Sequence, residues 1–286
     1  MNKVHKCSIP EAELNYKNDI RIVDTSLLKT DHLKSISVSD GIKLPVDQET
    51  AELVKIKLDD LEEYGYWYYI NGRTYFLKER KSNFAILNEL LGQELAEYMS
   101  IPTIKYNIAV DKDEIIGLFS ENFLDGTFEH RKGMYASKQI LKEIRNILTN
   151  PDYECDKLLR RRYTSSLVKS FYTAIGDRYK NSYYGIKDGK LVFTPTFDYE
   201  SSFINSQSYF TGDPLFDCVF SKESVEFFKK NNPYFLEYME MIKNSNMLSS
   251  LGNIEEKHGI VVPNCYIEYY VDFEAKRKEF IKTLGL

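Results

Sequence analysis

The chain has 286 residues, 43% of them hydrophobic and 28% charged, which is enough apolar content for a large core and excludes collagen-like, coiled-coil and disordered classes. Lys and Arg total 38 against 43 Asp and Glu, a net charge of -5, so the basic surplus that drives phosphate-backbone binding is absent and nucleic acid is excluded as a main partner. No apolar run reaches the ~18 residues of a membrane span and the first residues carry no apolar signal-like core, so the expectation is a protein that is neither secreted nor membrane-embedded.

The segment up to about residue 60 alternates short apolar clusters with polar stretches and supports no assignment. Beyond it, Tyr66 to Ile70 and Thr74 to Lys78 flank Asn71-Gly72, the dipeptide that favours a type I′ hairpin, and Lys78 shares a sheet face with Phe76 and Thr74. A helix is predicted over 83–98, capped by Ser82, with Leu87, Leu90, Leu91, Leu95 and Tyr98 on one stripe and Pro102 marking its end. Residues 105–110 and 114–119 flank the turn Asp111-Lys112-Asp113 as a second hairpin extending the first into an antiparallel sheet.

From there the pattern is helical, over 137–148, 153–174, 222–244 with a break at Asn232-Pro233, and 272–284. One hairpin interrupts it, 182–187 and 190–194 about Asp188-Gly189. The basic run Arg160-Arg161-Arg162 reads as a solvated helix face. Cys7, Cys155, Cys218 and Cys265 form no C-x-x-C pair and read as free thiols in a reducing cytoplasm. His5, His32, His130 and His258 lack the i+3 or i+4 spacing of a His-based metal site.

The polar residues that carry chemistry gather at the third hairpin. With Asp188-Gly189 as a two-residue turn, Lys187 faces Lys190 and Asn181 faces Thr196, so Asn181 and Asp198 leave the open end together, with Asp177 just upstream. Two carboxylates and an amide oxygen at one hairpin mouth suit a divalent cation that prefers oxygen ligands. Asp177 is then free to accept a proton while Asn181 and Asp198 hold the metal, a division of labour suited to phosphoryl transfer.

The stretch Gly176-Asp177-Arg178-Tyr179-Lys180-Asn181, followed by Thr194-Pro195-Thr196-Phe197-Asp198-Tyr199-Glu200-Ser201-Ser202-Phe203, resembles the HipA-like kinase family with its smaller CtkA-like members. Trp67, the strand ending in Lys78, Asn88-Glu89, Ile101-Pro102 and Ile116-Gly117-Leu118-Phe119 are similar in the same order, over roughly residues 62–204. The resemblance implies an α+β, bilobal protein-kinase-like fold. Its parts would be a small antiparallel β-rich N-lobe over 1–124 and a larger, mainly helical C-lobe over 125–286.

It further implies a cytoplasmic serine/threonine protein kinase using ATP and Mg2+, acting on a protein substrate and open to a regulatory partner or antitoxin. Carried over by residue, Lys78 contacts the nucleotide phosphates, Glu89 pairs with Lys78, Asp177 is the base, Asn181 and Asp198 hold magnesium, and Glu121 to Phe123 form the hinge beside the adenine. Helical spacing offers a rival partner for Lys78, because Glu94 and not Glu89 lies within the apolar stripe, where a buried carboxylate needs a cation. Two departures stand out. Asn181 follows Asp177 by four residues where the family uses five, which makes Ser182 a rival ligand, and no glycine-rich phosphate loop precedes the first hairpin. The shortened loop motivates the alternative of a nucleotide-binding pseudokinase acting as a regulatory module, and a third reading changes the acceptor to a small molecule or the chemistry to nucleotidyl transfer.

Overall fold

The computed structural model describes residues 12–16, 22–24, 32–33, 65–70, 73–79, 82–111, 114–121, 123, 129–132, 138–173, 183–203 and 221–286. In chain order the strands are β1 (Asn15–Tyr16), β2 (Ile22–Asp24), β3 (His32–Leu33), β4 (Gly65–Ile70) and β5 (Arg73–Glu79), followed by helix α1 (Asn83–Tyr98). Strands β6 (Tyr106–Asp111), β7 (Glu114–Glu121) and β8 (Glu129–Lys132) lead to helices α2 (Lys138–Thr149) and α3 (Lys157–Thr173). The hairpin β9 (Tyr183–Lys187) and β10 (Lys190–Val192) precedes α4 (Lys222–Asn231), α5 (Phe235–Asn244) and α6 (Met247–His258). The two-residue strand β11 (Ile260–Val261), paired with β1, and the helix α7 (Asn264–Thr283) follow.

The main sheet runs in the order β2-β6-β7-β5-β4-β3. Both anticipated hairpins are present, closed at Ile70↔Arg73 and Asp111↔Glu114, and they join through the antiparallel pair β5–β7. The sheet is not wholly antiparallel as expected, because β2 lies parallel to β6 at its edge. Ile108 to Val110 already form a buried apolar run, and that suits a strand with neighbours on both sides. The ladder shifts register at Ala109/Val110, leaving Ile116 unpaired as a bulge. At the adjoining Gly117 a Cβ would stand 2.0 Å from the Lys78 carbonyl oxygen, so only glycine lets β7 press onto β5 at the level of that lysine.

Helix α1 begins where the sequence places it, with the Ser82 hydroxyl accepting from the Ala85 amide at 3.0 Å. Its burial is wider than one stripe: Phe84, Ile86, Leu87, Leu90, Leu91 and Leu95 are buried together with Asn88, Glu89, Gln93 and Glu94, while Tyr98 is exposed. A helix buried on most of its circumference lies between layers, and α1 joins one core with Leu118 of the sheet, Leu167 of α3, Ile254 of α6 and Tyr270 of α7.

The helical part departs from expectation at its boundaries. The α3 helix starts at Lys157 because the Asp156 carboxylate accepts the Leu158 amide at 2.6 Å and the Leu159 amide at 3.1 Å, a cap that outweighs the upstream periodicity. The whole of α6 was unanticipated, and α7 begins directly after Pro263, well before residue 272. The break at Asn232-Pro233 is real. The buried Asn232 amide donates to the Leu148 carbonyl (2.9 Å) and Thr164 Oγ1 (3.0 Å), tying the ends of α2 and α4 to α3.

The basic run is a solvated face only in part, with Arg161 and Arg162 half-buried. Arg160 is buried, donating to the carbonyls of Pro151 (3.1 Å) and Tyr153 (2.5 Å), and Arg161 pairs with Glu237 over the Tyr234 ring.

The third hairpin has the expected register, Lys187↔Lys190, and positive φ at both turn residues, 52° at Asp188 and 73° at Gly189, as a type I′ turn requires. A further strand, β8, pairs with β9, so the hairpin becomes a three-stranded sheet. The chain after β10 turns to a different neighbour. Thr196 bridges Thr103 in parallel, its amide donating to the Pro102 carbonyl (2.9 Å) and its carbonyl accepting from the Ile104 amide (3.1 Å). The pairing expected for Asn181 and Thr196 involves a residue outside those described.

Candidate active site

Lys78 ends the long face of β5, and its ammonium meets three carboxylates. It pairs with Glu89 from α1, with Asp198 Oδ1 at 2.5 Å and with Glu200 Oε2 at 3.1 Å. Oxygens of Glu89, Asp198 and Glu200 all lie within 4.8 Å of one another.

The rivalry between Glu89 and Glu94 is resolved by their having separate cations. Glu94, also buried, pairs with Lys257 of α6, which further contacts Glu97 at 3.0 Å. Both carboxylates on α1 thus obey the rule that a buried charge needs a partner.

Glu89 does double duty, because its Oε2 accepts the Tyr199 backbone amide at 2.8 Å while Oε1 faces Lys78. Asp198 adopts φ of 63°, and Phe203 adopts 58°, left-handed conformations that a non-glycine residue keeps only when its surroundings hold it.

Here the surroundings do so at nearly every step. The Asn88 amide donates to the carbonyls of Glu200 (2.7 Å) and Ser202 (2.9 Å), and its own oxygen accepts from the Tyr270 hydroxyl (2.8 Å). The Phe203 amide donates to the Thr173 carbonyl at 2.7 Å, and its carbonyl accepts from the Tyr269 hydroxyl at 3.1 Å. The Tyr199 ring packs against Gly92 and carries the buried Lys169 ammonium 3.4 Å from its centroid.

Burial works against the charge of Lys78, but Glu89 and Asp198 overcome it and hold the ammonium well above the ordinary lysine range. Burial pushes the Glu89 carboxyl up, opposed by Lys78 and reinforced by the neighbouring Asp198. The two directions agree physically: one cation is shared among three acids, while Glu89 is wholly enclosed. Burial also raises the Tyr106 hydroxyl, which Glu89 reinforces.

Of the sequence-predicted residues, Lys78, Glu89 and Asp198 are brought together. Glu121 is exposed at the end of β7, and the Phe123 ring lies 5.6 Å from that of Phe197, immediately before Asp198. Asp177 and Asn181, and with them the rival Ser182, lie outside the described residues. Sequence reasoning gave no role to Glu200, Asn88 or Lys169. Glu200 had a readable signal, a second carboxylate two positions after Asp198. Asn88 entered only as part of the resemblance, in Asn88-Glu89; by spacing alone a helical asparagine next to a candidate acid looks like any polar surface residue.

The cluster suits a hard divalent cation in its donor chemistry, since every candidate ligand is a carboxylate oxygen and no histidine or cysteine takes part among the described residues. Asp198 and Glu200 are the residues with solvent access, whereas Glu89 is enclosed by Lys78 and the Tyr199 amide.

By sequence the chain matches no family profile and no curated protein. By structure it resembles the Helicobacter pylori proinflammatory kinase CtkA, at 12% identity and a TM-score of 0.49 over 75% of this chain and 90% of that one. It also resembles HipA from the Shewanella oneidensis MR-1 toxin–antitoxin complex of HipA, HipB and operator DNA, at 9% identity and a TM-score of 0.52 over 74% of this chain. The chain spans 59% of the HipA chain's length. It is thus a mixed α+β protein with a HipA-like fold, in which no described helix is long and apolar enough to cross a membrane.

Proposed function

We propose that the chain is a cytoplasmic, bilobal, ATP-dependent protein kinase that transfers the γ-phosphoryl group to a Ser or Thr hydroxyl, with an N-lobe over 1–124 and a C-lobe over 125–286. The observation that carries this reading is the Lys78 ammonium set between Glu89 from a helix and Asp198 from a strained turn. A loose phosphoryl transition state asks mainly for positioning and for its charge to be held, and this cluster supplies both.

In this reading Glu89 fixes Lys78 so that the ammonium can meet the nucleotide phosphates, and residues 121–123 line the adenine. Asp198 and Asn181 hold magnesium, with Glu200 beside them. Magnesium, when bound, neutralises charge on the phosphates. Asp177 takes the proton of the acceptor hydroxyl. Because Tyr199 and Glu200 are held through Glu89 and Asn88, Asp198 is presented from a rigid backbone and little is lost to reorganisation. A protein substrate and a regulatory partner belong to the same reading.

The test is incubation of the full chain with γ-labelled ATP and magnesium, followed by mass spectrometry of the protein and of a cell lysate. Label on Ser or Thr supports the kinase. Nucleotide binding without label at any magnesium concentration favours a pseudokinase, the reading that the four-residue interval from Asp177 to Asn181 motivates.

A further inference from the structure

An ammonium has three N–H groups, and around Lys78 stand three carboxylates, Glu89, Asp198 and Glu200. The proposed chemistry requires the first two. Glu200 reaches the same ammonium because its backbone is held in place: its carbonyl is tied to Asn88, and the left-handed turn at Asp198 starts the bend that returns the chain towards α1. With carboxylates on three sides, two accepting its N–H groups and the third 3.1 Å away, the ammonium is drawn towards the acids and away from an incoming phosphate. Three acids around one cation also repel a polyphosphate that arrives without a counter-ion.

Resting on the kinase reading, we propose that Glu200 is a positioning residue that keeps Lys78 turned towards the acidic cluster until a divalent cation engages Asp198 and Glu200. The chain then takes up nucleotide and divalent cation together, and nucleotide alone binds poorly. Removing the Glu200 charge frees Lys78 from one of the three acids that draw it and lowers the repulsion, so the penalty on cation-free nucleotide falls. Glu200 has a fifth of its side-chain surface exposed, so a cation can reach it without unfolding the segment.

The experiment titrates the full chain with N-methylanthraniloyl-ATP in EDTA and in magnesium, and reads the ratio of the two dissociation constants. Glu200→Gln, nearly isosteric, is expected to tighten binding in EDTA by about tenfold, the scale of one partly screened charge at close range, and to weaken binding in magnesium, because a cation ligand is lost, so that the ratio narrows from both sides. Glu200→Asp, which keeps the charge, retains a large ratio, and Glu237→Gln, an acid paired with Arg161 elsewhere, retains the parental one. Thermal melts establish that each variant is folded, and Glu200→Ala is the second neutral variant if Glu200→Gln is not. An unchanged ratio in the neutral variant overturns the proposal, as does a parent that binds equally well in EDTA and magnesium. A parent that binds nucleotide in neither buffer refutes the kinase reading itself.

Discussion

Gly92 is one of the tightest glycine positions among the described residues, and Gly92→Ala tests whether the segment carrying Asp198 is as firmly seated as its contacts imply. A Cβ at Gly92 would fall 2.1 Å from Tyr199 Cγ, 2.3 Å from Cδ2 and 2.6 Å from Cβ, where ordinary contact begins near 3.4 Å. The ring or the helix must therefore give by about 1.3 Å. The ring is almost wholly buried. Lys169 lies over its face, and its backbone amide is bonded to Glu89 at 2.8 Å.

Alanine in place of glycine inside a helix favours folding by ~1 kcal/mol, whereas overpacking a tight core costs ~1–3 kcal/mol and loosening the amide bond to a carboxylate adds to that cost. The balance is a net loss of about 1–2 kcal/mol, or roughly 2–3 °C in melting temperature for a chain of this size. Gly252→Ala on α6 is the internal control, because nothing lies within 4 Å of its Cβ and only the helical gain remains. Urea and thermal unfolding of both variants provide the assay. The reasoning is refuted if Gly92→Ala is as stable as its parent, or if both glycine replacements raise the melting temperature alike.

Asp198→Ala should remove most of the extra thermal stabilisation that magnesium and ATP give together over either alone, read by differential scanning fluorimetry; an unchanged synergy takes Asp198 out of the metal site. Asp177→Ala should keep nucleotide binding while phosphoryl transfer falls by ~10²-fold or more, measured with labelled ATP. Glu97 has its carboxyl lowered to about 2: burial alone would raise it, but hydrogen bonds from Lys105, Lys257 and Gln93 outweigh that. A carboxyl depressed in the folded state contributes stability above its unfolded value and loses it as pH falls through the folded one. Glu97→Gln should thus be less stable than the parent at pH 6, with the difference shrinking as the pH drops from 4.5 towards 2 in urea titrations.

The hairpins and α1 were legible because each is written in local terms: Asn-Gly and Asp-Gly turns, a serine cap and leucines at helical spacing. The choice between Glu89 and Glu94 was not, since both are buried on the same helix and the answer depends on which lysine arrives from elsewhere. Lys257 is carried by α6, where Ser249, Ser250, Gly252 and Asn253 lower helix propensity and hide the apolar positions Met247, Leu251 and Ile254. The third acid at Lys78 was visible as a carboxylate two positions after Asp198, but its approach to the lysine was not. Its approach depends on positive φ at Asp198 and on the Asn88 side chain, neither of which leaves a periodic trace. The basic run misled because a dense charge motif says nothing about which guanidinium will find buried carbonyls.

The α7 helix closes what the earlier elements leave open. Its Tyr269 and Tyr270 hydroxyls hold the backbone and the asparagine that seat the acidic segment, and Arg277 donates to the last carbonyls of α3 at Phe171 and Tyr172, both at 3.1 Å. During synthesis, the ribosome delivers Lys78, Glu89 and Asp198 well before residues 269–277. A nascent chain therefore has every acid and base of the site in hand while the parts that set their angles are still being made. The geometry of the acidic segment is thus complete only once a helix far along the chain has packed against it.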